Sequence, residues 1–256
     1  MPPTPQLQAD ERLDRVNENL LLIQRKNGLT FGTDAFLLSA FCRKNTRGRV
    51  ADLGCGTGII ALLLAARRQF AKIYGVEIQP TFAALAQRNV ALNGYAETVT
   101  VLERDVRSLS PADFEGELDA VVANPPYMRA DAGFASPHNE KQIARHEICG
   151  GIADFTAAAA RCLRYGGSFY CVWRPDRLPA LLAALHSASL EPKRMVFVHD
   201  SPQKSPATVL IEARLGGAEG LTVLPPLFLH DRAGEACPLS ARAEKIYETG
   251  SFDAPC

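Results

Sequence analysis

Short apolar runs alternate with longer amphipathic stretches along most of the chain. Leu20-Leu21-Leu22-Ile23-Gln24 reads as a short strand, and Lys26-Asn27-Gly28 as the turn that follows. Phe31-Gly32-Thr33-Asp34 opens a helix that Thr33 or Asp34 can cap, with residues 35–41 as its body. Strands are then predicted over 49–53, 73–77, 99–102, 120–123 and 168–173. Helices are predicted over 59–68, 81–92, 152–163 and 178–187, the second stopped by Asn93-Gly94 and the third by Gly166-Gly167. The final strands, 195–198 and 208–213, are joined by a loop too short for a crossover helix, so they pair antiparallel. This order predicts an α/β fold: a doubly wound, Rossmann-like seven-stranded sheet, mostly parallel with one antiparallel strand. Residues 1–256 read as a single domain. It has an N-terminal tail and short strand over 1–30, a core over 31–215, and a C-terminal extension over 216–256 with a short helix at 238–248.

Composition narrows the classes. Lys plus Arg equals Asp plus Glu at 28 each, so no global field draws in nucleic acid and any such binding rests on a local patch. The seven cysteines (Cys42, Cys55, Cys149, Cys162, Cys171, Cys237 and Cys256) form no C-x-x-C pair. They read as free thiols of a reducing compartment, and no metal is expected. The first residues carry no secretory signal and no segment reaches the roughly 18 apolar residues of a membrane span, so a cytoplasmic protein, monomer favoured, is expected.

Chemistry concentrates where apolar strands stop. The run Val121-Val122-Ala123 ends at Asn124-Pro125-Pro126-Tyr127, whose prolines cannot donate ladder hydrogen bonds. The strand must end there in a stiff extended loop, at the edge where open α/β sheets place ligands. Asn124 offers an amide oxygen, Pro125 a carbonyl and Tyr127 a flat ring, a set suited to a planar amide or amino group. Gly54-Cys55-Gly56-Thr57-Gly58 lies between a strand and a helix, where backbone can approach a ligand and the helix start favours an anionic group. A dinucleotide fingerprint needs its third glycine where Ile59 stands, so a nicotinamide cofactor fits less well. Glu77 ends the next strand as either a ribose-hydroxyl acceptor or a solvated carboxylate. Asp105 follows the strand after that, as either an acceptor for an adenine amine or a helix cap.

With these residues on consecutive strand ends, the chain resembles the class I S-adenosylmethionine-dependent methyltransferases over about 31–211. Asp52-Leu53-Gly54-Cys55-Gly56-Thr57-Gly58 looks like their cofactor loop, and Asn-Pro-Pro-Tyr like the motif of the amino-methylating branch. Phe31-Gly32-Thr33-Asp34-Ala35 and Ala144-Arg145-His146-Glu147 are similar to the bacterial tRNA1(Val) adenine-37 N6-methyltransferase family. The resemblance implies S-adenosylmethionine held by Thr33, Asp52, Gly54, Gly56, Gly58, Glu77, Ile78, Asp105, Val106 and Asn124. It implies catalysis by Asn124, Pro125, Pro126 and Tyr127, with Tyr127, Arg129, Arg145 and His146 meeting a tRNA. The segment from Met128 to Gly133 departs from the family pattern. The alternatives are a protein glutamine N5-methyltransferase acting on a release factor, and a non-catalytic RNA-binding protein that keeps the fold. A glutamine enzyme usually carries a longer helical N-terminal domain, so the short lead favours RNA. Cys55 reads as a small packing residue, and the Arg43, Lys44, Arg47, Arg49 cluster with Arg67-Arg68 as a solvated face or an RNA rim.

Overall fold

The computed structural model describes residues 5–26, 32–125, 150–232, 234 and 237–253. Its frame is one sheet whose parallel strands are buried on both faces, which is why their sequences are continuous apolar runs. Five strands come first: β3 (Asn45–Leu53), β4 (Phe70–Glu77), β5 (Val99–Glu103), β6 (Leu118–Ala123) and β7 (Leu163–Trp173). β8 (Leu190–His199), β9 (Thr208–Leu215), β10 (Thr222–Val223) and β11 (Leu227–Phe228) follow. The order across the sheet is β10-β8-β9-β7-β6-β3-β4-β5, with β11 also alongside β8. β9 runs antiparallel to both β7 and β8, as expected for the last hairpin, and the remaining pairings are parallel. Seven long strands match the expected sheet. The two-residue β10 and β11 raise the count to nine, because the C-terminal extension returns along β8.

Strand residues alternate strictly between two cores. Val50, Ile73, Ala120 and Val122 face α1 (Thr33–Phe41), α2 (Ile59–Ala66), part of α3 (Pro80–Leu92) and α6 (Ala241–Thr249). Ala51, Leu53, Val76, Val121 and Ala123 face α4 (Ile152–Cys162) and α5 (Leu178–Ser187). The chain walks from β3 outward to β5, then returns to β6 and walks the other way, so the direction reverses between β3 and β6. That reversal opens the crevice where ligands bind in such sheets.

Two features depart from the expected pattern. β1 (Glu11–Asn17) pairs antiparallel with β2 (Leu20–Arg25) in a separate hairpin. Its sequence is mostly charged, and Glu11 alone among its residues is buried. The hairpin is fixed by amides of α3. Asn89 accepts from the Ile23 N–H at 2.7 Å and donates to the Ile23 carbonyl at 3.0 Å; Asn93 repeats this on Leu21 at 2.9 and 2.7 Å. Two side chains thus substitute for a neighbouring strand. β7 begins at Leu163 and runs through Gly166-Gly167, which were expected to stop a helix; Gly166 takes φ 75° where the pairing with β6 shifts register. Asn27, Gly28 and residues 1–4 of the expected tail lie outside the described residues.

Arg194 of β8 closes the far side. It is 6% exposed and bonds Glu212 of β9, 1% exposed, at 2.6 Å, the Phe41 carbonyl at 2.8 Å and Asp253 at 2.9 Å, with its guanidinium over the Phe41 ring. Its loss leaves the buried Glu212 carboxylate with Arg43 as its one ion-pair partner among the described residues. Arg194→Met is expected to destabilise the protein by about 3–5 kcal/mol. Denaturant unfolding checks this, and an unchanged midpoint contradicts the role given to Arg194.

Candidate active site

The carboxyl ends of the central strands lie level. Leu53 pairs with Val76 on one side and with Ala123 on the other, and Glu77 with Glu103. The glycine loop, Glu77 with Ile78, Asp105 and Asn124 therefore share one edge. The N–H groups of Gly54 and Cys55 both donate to the Val76 carbonyl, at 2.8 and 2.9 Å, which pulls the loop over the end of β4. Gly54, Gly56 and Gly58 take φ of 71°, 55° and 83°, a region that only glycine enters without strain. A Cβ on Gly58 would press on Ala86 at 3.3 Å, whereas one on Gly56 would meet open space. Gly58 thus serves packing and Gly56 leaves backbone bare toward the cleft. Cys55 is buried against Gly75 and burial pushes its thiol up, consistent with a packing role.

Glu77 is 5% exposed, so the solvated reading does not hold. One of its oxygens accepts from the Gly56 N–H at 2.9 Å and the other from the Gln79 N–H at 2.9 Å. The carboxylate braces the glycine loop against the start of α3 and keeps a further lone pair on each oxygen for a ligand. Asn89 adds a second brace, donating to the Thr57 carbonyl at 3.0 Å. Asp105 caps the short 3-10 turn Val106–Ser108 and pairs with Arg107 at 2.6 Å, which holds its carboxyl below the usual range. The cap reading is therefore realised, and an adenine amine would share Asp105 with Arg107. Val106 is buried in the core beneath, and Ile78 is half-buried beyond Glu77.

Asn124 is half-buried and Pro125 buried, directly after Ala123 and hence beside Gly54. Thr33 is exposed at the start of α1 and lines a neighbouring cavity with Trp173 and Thr208. Pro126, Tyr127, Arg129, Arg145 and His146 lie outside the described residues, as does the loop up to residue 149. Sequence reasoning missed Asn89 and also Phe155, whose ring lies 3.4 Å from where a Gly54 Cβ would stand. The signal for Asn89 was an amide within a helical stripe of Ala86 and Val90; Phe155 gave none. Among the described residues no group of His, Cys, Asp or Glu is arranged to hold a metal, and no helix is long and apolar enough to cross a membrane.

Asp52 supplies the test of fit for a cationic cofactor. It is 1% exposed, and neither carboxylate oxygen has a hydrogen-bond partner of ordinary geometry. Burial raises its pKa to about 7; the Ala61 N–H offsets this in part and the charge of Glu77 adds to it. Two acids below one loop, one of them incompletely satisfied, suit a ligand that carries positive charge, as the ammonium and sulfonium of S-adenosylmethionine do. The folded protein binds the Asp52 proton more tightly than the unfolded chain. Stability of the cofactor-free protein is therefore expected to fall as pH rises from about 4 to about 7, with a slope approaching 1.4 kcal/mol per pH unit. Asp52→Asn removes that slope, as denaturant unfolding at several pH values would show. The same slope in both proteins contradicts the assignment.

Comparison with known proteins agrees with this arrangement. A curated tRNA1(Val) (adenine(37)-N6)-methyltransferase of Porphyromonas gingivalis is 28% identical over 229 residues, covering 86% of this chain and 89% of that protein. One of the same name from Citrobacter koseri is 32% identical over 168 residues, covering 60% and 67%. Among solved structures, a predicted O-methyltransferase of Agrobacterium tumefaciens superposes with TM-score 0.68 at 23% identity, over 86% of this chain and 97% of that one. TYW2 of M. jannaschii, solved with AdoMet, superposes with TM-score 0.54 at 14% identity, over 82% and 88%. These two likenesses establish the fold alone. The methyltransferase small domain model matches residues 25–185, and the chain belongs to that family as an S-adenosylmethionine-dependent methyltransferase.

Proposed function

We propose that the chain methylates the exocyclic N6 of an adenosine in tRNA, adenosine 37 of a valine tRNA, as a single cytoplasmic methyltransferase domain. The observation that carries this is the position of Asn124 and Pro125, which end β6 beside the glycine loop at the reversal of strand order. The names of the curated relatives support the RNA acceptor.

S-adenosylmethionine, when bound, supplies an electrophilic methyl group on sulfur. Asp52 would meet its positive charge, and Glu77 would accept from its ribose while bracing Gly56. The lone pair of an adenine amine is delocalised into the ring, which makes it a weak nucleophile. Acceptance of its N–H bonds by the Asn124 amide oxygen and the Pro125 carbonyl draws the nitrogen toward a tetrahedral shape and frees that lone pair. These contacts strengthen as positive charge builds on nitrogen, so they favour the transition state over the ground state. The stiff Asn-Pro peptide holds the amine in line, which adds the positioning contribution. No strong general base is needed, because the methylated cationic amine is acidic and sheds its proton. Tyr127 offers a stacking face for an extruded base, and Arg129, Arg145 and His146 offer contacts to flanking phosphates.

Mass spectrometry of nucleosides from tRNA incubated with the protein and S-adenosylmethionine tests the reading. N6-methyladenosine is expected to accumulate. With Asn124→Ala it is expected to form roughly 10²–10³ times more slowly, by analogy with removal of one oxyanion-hole donor. If no N6-methyladenosine appears while a release-factor glutamine gains a methyl group, the RNA acceptor is wrong. If Asn124→Ala keeps the wild-type rate, the mechanism is wrong.

A further inference from the structure

One cavity on the carboxyl edge of the sheet is not used by the proposed chemistry. It has a volume of about 670 Å³ and lies between the start of α1 and the ends of β7, β8 and β9. That volume is within the usual range for small-molecule sites and can admit a nucleotide. β7 is the direct neighbour of β6, and Ala123 pairs with Cys171, so Trp173, the last residue of β7, lies level with Pro125. The near wall of the cavity, at Trp173, is one strand spacing, about 4.8 Å, from β6, and the cavity extends from there past β9 to β8. Consecutive bases lie about 3.4 Å apart when stacked and farther apart when one is extruded, so a base adjoining one held at Asn124 reaches the cavity.

The charges of the cavity say what enters it. Three of its lining residues are acids. Asp176 is held by Arg174 at 2.8 Å, and Asp200 by Lys204 at 2.6 Å. Asp34 has no cationic partner among the described residues; the Thr208 hydroxyl donates to it at 3.1 Å. Burial pushes its carboxyl up, and Thr208 offsets this only in part. A phosphate is disfavoured here, because the one lining cation is already paired. A group with N–H donors is favoured, because Asp34 keeps acceptor capacity in a partly desolvated place.

We propose that this cavity receives the nucleotide 5′ to the methylated adenosine and that Asp34 selects a cytosine there by accepting from its exocyclic amine. The proposal rests on the tRNA reading above. Every valine codon begins with guanine, so the base before adenosine 37 in a valine tRNA is a cytosine. Uracil at that place would turn its O4 toward the carboxylate, leaving two acceptors face to face. Asp34 acts as a specificity residue and does not touch the reacting amine.

The test compares kcat/KM for a valine tRNA transcript and for the same transcript with that cytosine changed to uracil, using wild type and Asp34→Asn. Wild type is expected to prefer cytosine by roughly 10–100-fold, as for one hydrogen bond to a charged group. Asp34→Asn, whose amide can accept from cytosine or donate to uracil, is expected to narrow the ratio to within about threefold. S-adenosylmethionine affinity by calorimetry is expected to stay unchanged in the variant. Equal rates on the two transcripts with wild type overturn the proposal while leaving the methyltransferase reading intact. An undiminished preference in Asp34→Asn, or a lost cofactor affinity, also overturns it. Absence of methylation on both transcripts overturns the tRNA reading and this inference together.

Discussion

A carboxylate buried under a glycine loop is the constraint on which the site depends. Glu77 ties the Gly56 N–H to the Gln79 N–H, so the turn after β3 and the start of α3 are set by one side chain. Bare backbone at Gly56 is thereby fixed in the gap between β3 and β4 without a covering side chain. The opposite wall comes from topology. β6 lies on the other side of β3 because the chain reverses its direction of travel across the sheet, and Asn124 arrives at the same edge. A methyl donor seated over the loop and an amine seated on Asn124 meet because two neighbouring parallel strands end level.

Electrostatics follow from that packing. Asp52 and Glu77 lie together with little solvent; Glu77 accepts from two backbone donors, whereas neither oxygen of Asp52 has a hydrogen-bond partner of ordinary geometry. The site therefore carries an unfavourable charge that a cationic ligand relieves, so part of the cofactor's affinity comes from repairing a cost already built into the fold. The zero net charge of the chain is consistent with such local arrangement, since attraction for substrate is then placed at the cleft and not spread over the surface.

Much of this was legible in the sequence because the signals are local. Apolar runs at Val50 and Val121 specify buried parallel strands, and Gly54, Gly56 and Gly58 mark a turn no other residue makes easily. Asn124-Pro125 announces its own strand end. The hidden features join distant residues. β1 looks polar because it lies at the surface with only Glu11 buried, and the amide grip of Asn89 and Asn93 on β2 spans 66 and 72 residues. Gly166-Gly167 reads as a helix stop, yet it sits inside β7 where the pairing with β6 shifts register. The bracing role of Glu77 is a tertiary fact that no spacing rule conveys.

The most direct test of the acidic seat is the proton count on cofactor binding. Calorimetric titration of S-adenosylmethionine in buffers of different ionisation enthalpy, near pH 7, reports it. Asp52 is about half protonated there when the site is free. A cation held against it is expected to expel that proton, so roughly half a proton is released per cofactor, and none with Asp52→Asn. Binding with no proton release in the wild-type protein, or equal release in the variant, would contradict the placement of the cofactor's positive charge against Asp52.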